Sequence, residues 1–204
     1  MNPSAPTNFT RETIHVKQIS HPPRFKSGVR LIMRVWRNKE AAEGKRPGRT
    51  LISTGPEAWD KMTSELLAEC IPGERVYASA EARNVERAIR IFKERQLVAD
   101  YDDPEVRHAF YNDCKTRWLS CLGAPRASDE NLFLFDCDTP ADHATLMREM
   151  AVAPVDFVGP DKVIHTYETK NGVHVLTTPF NPGLLSIPMR NILQKNALIL
   201  VGWK

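Results

Sequence analysis

The chain has 204 residues, of which 42% are hydrophobic and 26% are charged, and its formal net charge is +3 at pH 7. These proportions are typical of globular proteins and argue against a collagen-like, coiled-coil or largely disordered chain. No apolar run approaches the roughly 20 residues that span a bilayer, and the first residues show no charged segment followed by an apolar leader. We therefore expect a cytoplasmic protein that has no membrane partner.

The charge is unevenly distributed along the chain. Residues 1–50 contain 11 Lys and Arg against 3 Glu, a net charge of +8, whereas the other 154 residues carry 17 basic and 22 acidic groups, a net charge of −5. A basic segment favours a polyanionic partner such as nucleic acid, although it is also compatible with a solvated arm. We predict a basic, partly ordered arm over residues 1–28. The four cysteines include no Cys-x-x-Cys pair and are expected to be reduced.

An α/β lobe is predicted over residues 29–128. Its expected elements are strands over 31–36, 50–53 and 75–79, and helices over 56–70, 82–97 and 104–121. In the second helix, Arg83, Arg87 and Arg90 recur at i, i+4 and i+7 and would form a basic ridge. Such a ridge is either a solvated helix face or a surface that contacts phosphate groups.

A second lobe is predicted over residues 129–204. An apolar strand over 131–138 is followed by a helix over 140–152, which Thr139 and Asp142 would cap, and by strands over 163–169 and 173–178. Asn171-Gly172 between those strands is a strong hairpin signal. A helix over 184–194 and a strand over 197–203 complete a βαββαβ order, which is ferredoxin-like or RRM-like. The predicted fold class is therefore α+β, with this half packed on a smaller α/β N-terminal half.

Three polar residues lie at the ends of strands that this topology makes central neighbours. Asp136 and Asp138 are two residues apart at the end of the first strand, so both carboxylates should project from one face, and His174 lies on the third strand. Paired carboxylates suit Mg²⁺ or Mn²⁺, which in turn bind phosphate oxygens. The structural alternatives are that Asp138 caps the next helix, that Asp136 only ends the strand, and that His174 is a half-buried sheet residue.

The segments LFLFDCD at 132–138 and TKNGVH at 169–174 resemble the first two motifs of the archaeo-eukaryotic primase (prim-pol) superfamily. The resemblance implies a metal-dependent nucleotidyltransferase that acts on nucleoside triphosphates, NTPs or dNTPs, with a nucleic-acid template. It also implies that Asp136 and Asp138 bind the metal and that His174 contacts the nucleotide phosphates. The same hypothesis assigns nucleotide or nucleic-acid contacts to the following basic and polar residues: Lys170, Asn171, Arg83 and Arg87.

The chain departs from that family in one respect. The third acidic motif of the family normally follows the His, but no Asp or Glu occurs between Gly172 and Lys204. Glu168 is a possible substitute, although strict pairing across the hairpin places it opposite Val175 and away from the face of His174. The alternative is therefore a non-catalytic nucleic-acid-binding or replication-accessory protein that retains the fold. A third hypothesis is a small phosphohydrolase, because Asp-x-Asp-Thr-Pro resembles the opening motif of the haloacid-dehalogenase phosphatases.

Overall fold

The structure is a computed structural model that describes residues 28–36, 47–152, 162–169 and 171–203. Lys170 and residues 1–27 of the predicted arm lie outside the described residues. The α+β class is confirmed, because the described residues form two four-stranded antiparallel sheets and six α-helices. The strands are β1 Arg30–Trp36, β2 Arg49–Ser53, β3 Glu74–Ser79, β4 Phe133–Cys137, β5 Val163–Glu168, β6 Val173–Thr177, β7 Leu193–Lys195 and β8 Leu198–Trp203. The helices are α1 Pro56–Glu69, α2 Val85–Asp100, α3 Pro104–Asn112, α4 Cys114–Leu122, α5 Pro140–Val152 and α6 Ile187–Asn191.

The first sheet has the strand order β2-β1-β3-β8. Ile32, Val76 and Val201 form a buried cluster with Trp59 and Leu66 of α1. Both faces of β3 are covered, because five of its six residues are buried and only Tyr77 is partly exposed. The α1 helix therefore covers one face of this sheet, and the other face is left for contact with the rest of the chain.

The predicted helix over 104–121 is wrong, because two helices replace it. Asp113 separates α3 from α4 with φ −114° and ψ 29°, which is not a helical conformation. Phe110 of α3 packs against Phe92 of α2, with 5.4 Å between ring centroids, and Trp118 of α4 contacts the same ring at 6.2 Å. Both short helices therefore pack on α2 through the same Phe92 ring.

The predicted basic ridge on α2 is wrong for Arg83. The Asn84 side chain accepts a hydrogen bond from Arg87 N and caps the helix, so the helix begins at Val85. Arg83 precedes the helix in an extended segment that bridges Val29 and Ser128. The spacing of the three arginines therefore does not place them on one helix face.

The second sheet has the strand order β5-β6-β4-β7. One face is apolar, where Phe133, Phe135 and Val175 pack with Leu146 and Met150 of α5. The predicted capping box of α5 is present: Asp142 N donates to Thr139 Oγ1 and Thr139 N donates to Asp142 Oδ2, each at 3.1 Å. Because Thr139 caps the helix, the alternative that Asp138 is its cap is wrong.

The Asn-Gly hairpin forms between β5 and β6, but its predicted register is wrong by two residues. Glu168 pairs with Val173, not with Val175, and Tyr167 pairs with His174. At the turn, Thr169 N donates to Gly172 O at 2.8 Å and Gly172 N donates to Thr169 Oγ1 at 3.1 Å. A shift of two residues keeps each side chain on the same face, so Glu168 still projects away from the face of His174.

The end of the chain differs most from the predicted arrangement. The helix predicted over 184–194 is reduced to the five residues of α6, because Pro188 fits only the first turn of a helix. Leu193–Lys195 then forms β7 beside β4, and the predicted last strand joins the other sheet, where β8 pairs with β3. The chain thus crosses from the second sheet to the first between Lys195 and Leu198.

Within the described ranges, no helix is both long enough and apolar enough to cross a membrane.

Candidate functional site

A cleft of about 410 Å³ lies where the two sheets meet. The second sheet contributes Asp136, His174 and Gln194 to its walls, and Asp138 follows directly after β4. Asn171 of the hairpin, predicted as a nucleotide contact, also lines the cleft. The first sheet contributes four side chains from β3 and β8: Arg75, Tyr77, Leu198 and Leu200. The three residues predicted as catalytic are therefore brought together on one surface.

Asp136 and His174 are direct cross-strand partners in the two central strands of the second sheet. Their side chains meet, with 3.1 Å between His174 Nε2 and Asp136 Oδ1. His174 is 8% exposed, and its Nδ1 atom is buried without a hydrogen-bond partner among the described residues. Gln194 Nε2 lies 3.4 Å from the other carboxylate oxygen, Asp136 Oδ2. The carboxylate is thus oriented from two sides, by an imidazole and by an amide.

Asp138 is exposed and immediately follows the strand. Thr139, and not Asp138, caps helix α5. Asp138 lines the same cleft as Asp136. Two carboxylates therefore face one solvent-accessible space, and neither is needed to complete the helix that follows. That neither carboxylate is needed to cap the helix agrees with a role in binding rather than in local structure.

Gly172 brings the hairpin into contact with the aspartate segment. A Cβ atom placed on Gly172 would lie 2.0 Å from Cys137 O and 2.9 Å from the carbonyl carbon of Asp138. No side chain fits there, because the contact atoms are backbone atoms that cannot move aside like a flexible side chain. The glycine two residues before His174 thus fixes how closely the hairpin approaches the peptide between Cys137 and Asp138.

Cys137 lies between the two aspartates but is directed into the apolar core. Burial, assisted by the nearby charges of Asp142, Asp136 and Asp138, raises the pKa of its thiol to about 11. The thiol is therefore protonated at neutral pH, whereas a metal ligand or nucleophile would have to be a thiolate. Cys137 therefore belongs to the core of the sheet and not to the cleft.

The wall contributed by the first sheet was not predicted. Arg75 and Tyr77 alternate with the buried Val76 and Ala78 along β3, so they share the face opposite to α1. The signal in the sequence was this alternation of polar and apolar residues, which showed that the second face was not purely core. It did not show which part of the chain that face would meet.

Arg83 and Arg87, both predicted to contact nucleotide or nucleic acid, do not line the cleft. Arg83 is 1% exposed, and its Nη1 donates to Asn196 Oδ1 and lies 3.7 Å from Glu81. Burial lowers the pKa of this guanidinium. Arg87 Nη1 donates to Ser128 O. In this structure both arginines therefore make contacts within the protein.

Asn196 holds the segment between β7 and β8 in place. It adopts φ 53°, the left-handed region in which Asn is tolerated better than most residues. Its Oδ1 accepts from Arg83, and its Nδ2 donates to Gly123 O at 3.2 Å. Because Asn196 also lines the cleft, Arg83 contacts a residue of the cleft wall although it does not line the cleft itself.

The carboxylate oxygens available to a cation in the cleft, among the described residues, belong to Asp136 and Asp138. Among the described residues, no group of three or more His, Cys, Asp or Glu side chains is arranged to hold a metal ion. Mg²⁺ in proteins is commonly bound by one or two carboxylates together with water and substrate phosphates, so two aspartates fit this mode of binding. They do not form the complete protein cage that a tightly bound structural ion would require.

Comparisons of the chain with models of protein families, with curated proteins and with solved structures find no match. The geometry and chemistry of the cleft are therefore the basis for a functional assignment.

Proposed function

We propose that the cleft binds a nucleoside triphosphate together with Mg²⁺ or Mn²⁺, and that the chain is a nucleotidyltransferase of primase/polymerase type. The observation that carries the proposal is the cross-strand pair of Asp136 and His174, in a cleft that Asp138 and Arg75 also line. Paired carboxylates beside a guanidinium suit a ligand that combines a cation with phosphate groups. The strand order β5-β6-β4-β7 supports a ferredoxin-like arrangement of this sheet.

In this proposal Asp136 and Asp138 hold the cation, which would supply activation of a 3′-hydroxyl and neutralisation of the departing pyrophosphate. His174 first orients Asp136 through its Nε2 contact. With a cation bound by Asp136, the Nε2–H group of His174 would be available to donate to a phosphate oxygen of the nucleotide. Arg75 and Asn171 face the remaining phosphate oxygens, and Lys170 of the hairpin remains a predicted phosphate contact.

The apolar part of the cleft suits the nucleoside. Tyr77, Leu198 and Leu200 provide an aromatic and two aliphatic side chains beside the polar residues. The cleft thus offers both charged and apolar surface, which suits the phosphates and the nucleoside of a nucleotide. A template strand would then be read outside the cleft by base pairing to the bound nucleotide.

A second candidate is a non-catalytic nucleotide-binding or nucleic-acid-binding protein. The small number of carboxylates favours it, because the acidic residues among those described around the cleft are Asp136 and Asp138. A second metal ion would lack a third carboxylate from the protein, and two-metal chemistry would be weakened.

A primer-synthesis and primer-extension assay tests the proposal. Wild-type protein is incubated with labelled nucleotides, a single-stranded template and Mg²⁺ or Mn²⁺, and compared with D136N and D138N. We expect template-dependent products from wild type and a loss of about 100-fold or more in both variants, as for removal of other transition-state charge stabilisation. D102N is the matched control, because Asp102 lies outside the cleft.

Three outcomes separate the candidates. Template-dependent product that requires both aspartates supports the nucleotidyltransferase. Nucleotide binding without product under either cation refutes it and favours the non-catalytic candidate. Release of phosphate that needs no template would instead identify a phosphohydrolase.

A further inference from the structure

An apolar surface lies at the junction of α2 and α3, away from the cleft. Four large side chains of this junction are substantially exposed: Leu97 by 58%, Val98 by 68%, Tyr101 by 90% and Val106 by 45%. Single exposed apolar residues are normal on a protein surface, whereas neighbouring ones that form a patch indicate an interaction site. The junction therefore has the character of a surface that a partner covers.

A groove of about 340 Å³ lies within this surface, between α2, α3 and α4. Ala99 and Phe110 form its floor, since they are 4% and 2% exposed, and the exposed Val98 and Val106 form its walls. The groove and the cleft have no lining residue in common. Its role is therefore separate from the nucleotide site proposed above, and the activity of the cleft does not depend on it.

The lining of the groove has a negative end and a positive end. Asp102 immediately precedes α3, and Val106 and Phe110 follow on that helix one turn apart. The guanidinium carbon of Arg117, on α4, lies 4.9 Å from the centroid of the Phe110 ring. Asp102 and Arg117 therefore mark opposite ends of the groove, and the apolar side chains lie between them.

Asp102 and Arg117 are both accessible to a partner. Asp102 is exposed, and its Oδ1 accepts a hydrogen bond from the adjacent Asp103 N at 2.9 Å. Arg117 is partly exposed and stacks on Phe110, and its Nε has no hydrogen-bond partner among the described residues. An ion pair with a second molecule would thus not have to break one within the chain.

The other two charged residues of the lining already have partners within the chain. Glu94 Oε1 accepts from Arg126 Nη2 at 3.0 Å, and Arg95 Nη1 donates to Ser120 Oγ at 3.0 Å. Because Arg126 compensates Glu94, the end of the groove near Arg117 remains positive. At the other end, residues 97–106 contain four acidic residues and no Lys or Arg.

A surface with a negative end, an apolar centre and a positive end is complementary to itself. A two-fold axis that lies in the plane of the contact and passes through the apolar centre places each end of one copy against the opposite end of the other. Asp102 then meets the partner's Arg117 twice, once on each side of the axis, while Val98 and Val106 are buried between them. A polyanion such as nucleic acid would be repelled at the acidic end.

We propose that this groove is a self-association surface, at which two copies of the chain form an isologous dimer. The exposed apolar side chains supply the buried centre of the contact, and the two symmetry-related ion pairs at its rim fix the orientation of the copies. The dimer forms without nucleotide or cation, so its absence would leave the proposed function untouched.

Sedimentation velocity over a range of concentrations of the 204-residue chain measures the dissociation constant of the dimer. V98D places a charge in the apolar centre, and V152D is its matched control, because Val152 is 80% exposed at the end of α5. D102R and R117E each reverse one end of the groove. E57K and K61E are the corresponding controls on α1, outside the groove. Melting curves verify that each variant folds.

We expect reversible self-association of wild type, weakened by at least about tenfold in V98D, because a buried unpaired charge is costly. D102R and R117E should each weaken it by a similar factor, since like charges then face one another across the axis. An equimolar mixture of D102R and R117E should associate within about threefold of wild type, because one copy then has two basic ends and the other two acidic ends. V152D, E57K and K61E should behave as wild type.

Three results overturn the inference. A wild-type chain that stays monomeric at about millimolar concentration would leave the groove to a different partner. Unchanged self-association of folded V98D would place the contact on another surface. Failure of the D102R and R117E mixture to associate, although both variants fold, would contradict the pairing of Asp102 with the partner's Arg117.

Discussion

Two neighbouring residue pairs on one face of the second sheet have opposite characters. Leu134 pairs with Leu176, and two residues along the same strands Asp136 pairs with His174. The leucines are each 1% exposed and pack in a cluster with Ile199 of β8, which closes the space between the sheets. The polar pair faces the open cleft. Because the backbone positions are equivalent, the strands themselves do not require a charge at the second position, and the proposed binding role accounts for the polar pair.

We expect the leucine pair to contribute to the stability of the fold and not to the binding of a nucleotide. L134A removes a fully buried side chain and leaves a cavity, so we expect the free energy of unfolding to fall by about 2–5 kcal/mol. Urea unfolding followed by circular dichroism measures the change. L198A is the control, since Leu198 is 37% exposed and its truncation should cost much less. Equal losses of unfolding free energy in the two variants would show that the leucine pair does not lie in a packed core.

Much of this comparison could be predicted from the sequence. The apolar run before Asp136, the capping box at Thr139 and the Asn171-Gly172 hairpin are local signals, and together they predicted β4 and β6 as neighbours. The register of Glu168 was wrong by two residues, because the hairpin closes through the Thr169 hydrogen bonds with Gly172. The predicted sheet face of each side chain was nevertheless right, because a register shift of two residues leaves every side chain on the same face.

The wall opposite the aspartates could not be predicted in the same way. It depends on the pairing of β8 with β3, two segments more than 100 residues apart, and a strand pattern does not specify a distant partner. Gln194 was predicted within a helix, but Pro188 confines that helix to its first turns and the chain returns to an extended form. Arg83 was assigned to a helix face because the cap at Asn84 was not recognised.

The close contact between Gly172 of the hairpin and the backbone of Cys137 and Asp138 can be tested in the same way. In G172A the added methyl group meets Cys137 O, so the hairpin must shift, and we expect a loss of about 1–3 kcal/mol in unfolding free energy. The affinity for a nucleoside triphosphate with Mn²⁺ should fall as well. G55A is the control, because no atom lies within 4 Å of its Cβ position. Unchanged stability and affinity in G172A would contradict the close contact.

The polar pair can also be converted into a second leucine pair. In the double variant D136L/H174L we expect the unfolding free energy to rise by about 1 kcal/mol, because a polar pair at a sheet interface is replaced by apolar packing. Nucleotide binding should be lost in the same protein. Thermal melting and nucleotide titration measure the two effects, and a clear loss of stability would mean that the pair is structural.

The smallest expected effect concerns Asn196. Both N196A and N196G lose the hydrogen bonds to Arg83 and Gly123, but only Ala is strained at φ 53°. N196A should therefore be less stable than N196G by about 1 kcal/mol. Parallel urea titrations measure the difference. Equal stability of the two variants would contradict the left-handed conformation at the junction of the sheets.

The most direct test of the assignment is a titration of the 204-residue chain with a non-hydrolysable nucleoside triphosphate, with and without Mn²⁺. Binding to wild type should depend on the cation, and D136N/D138N should lose at least about tenfold in affinity while its melting curve changes little. Wild-type affinity in the double variant, or binding to wild type that is indifferent to Mn²⁺, would contradict the assignment of Asp136 and Asp138 as the cation ligands of a nucleotide site.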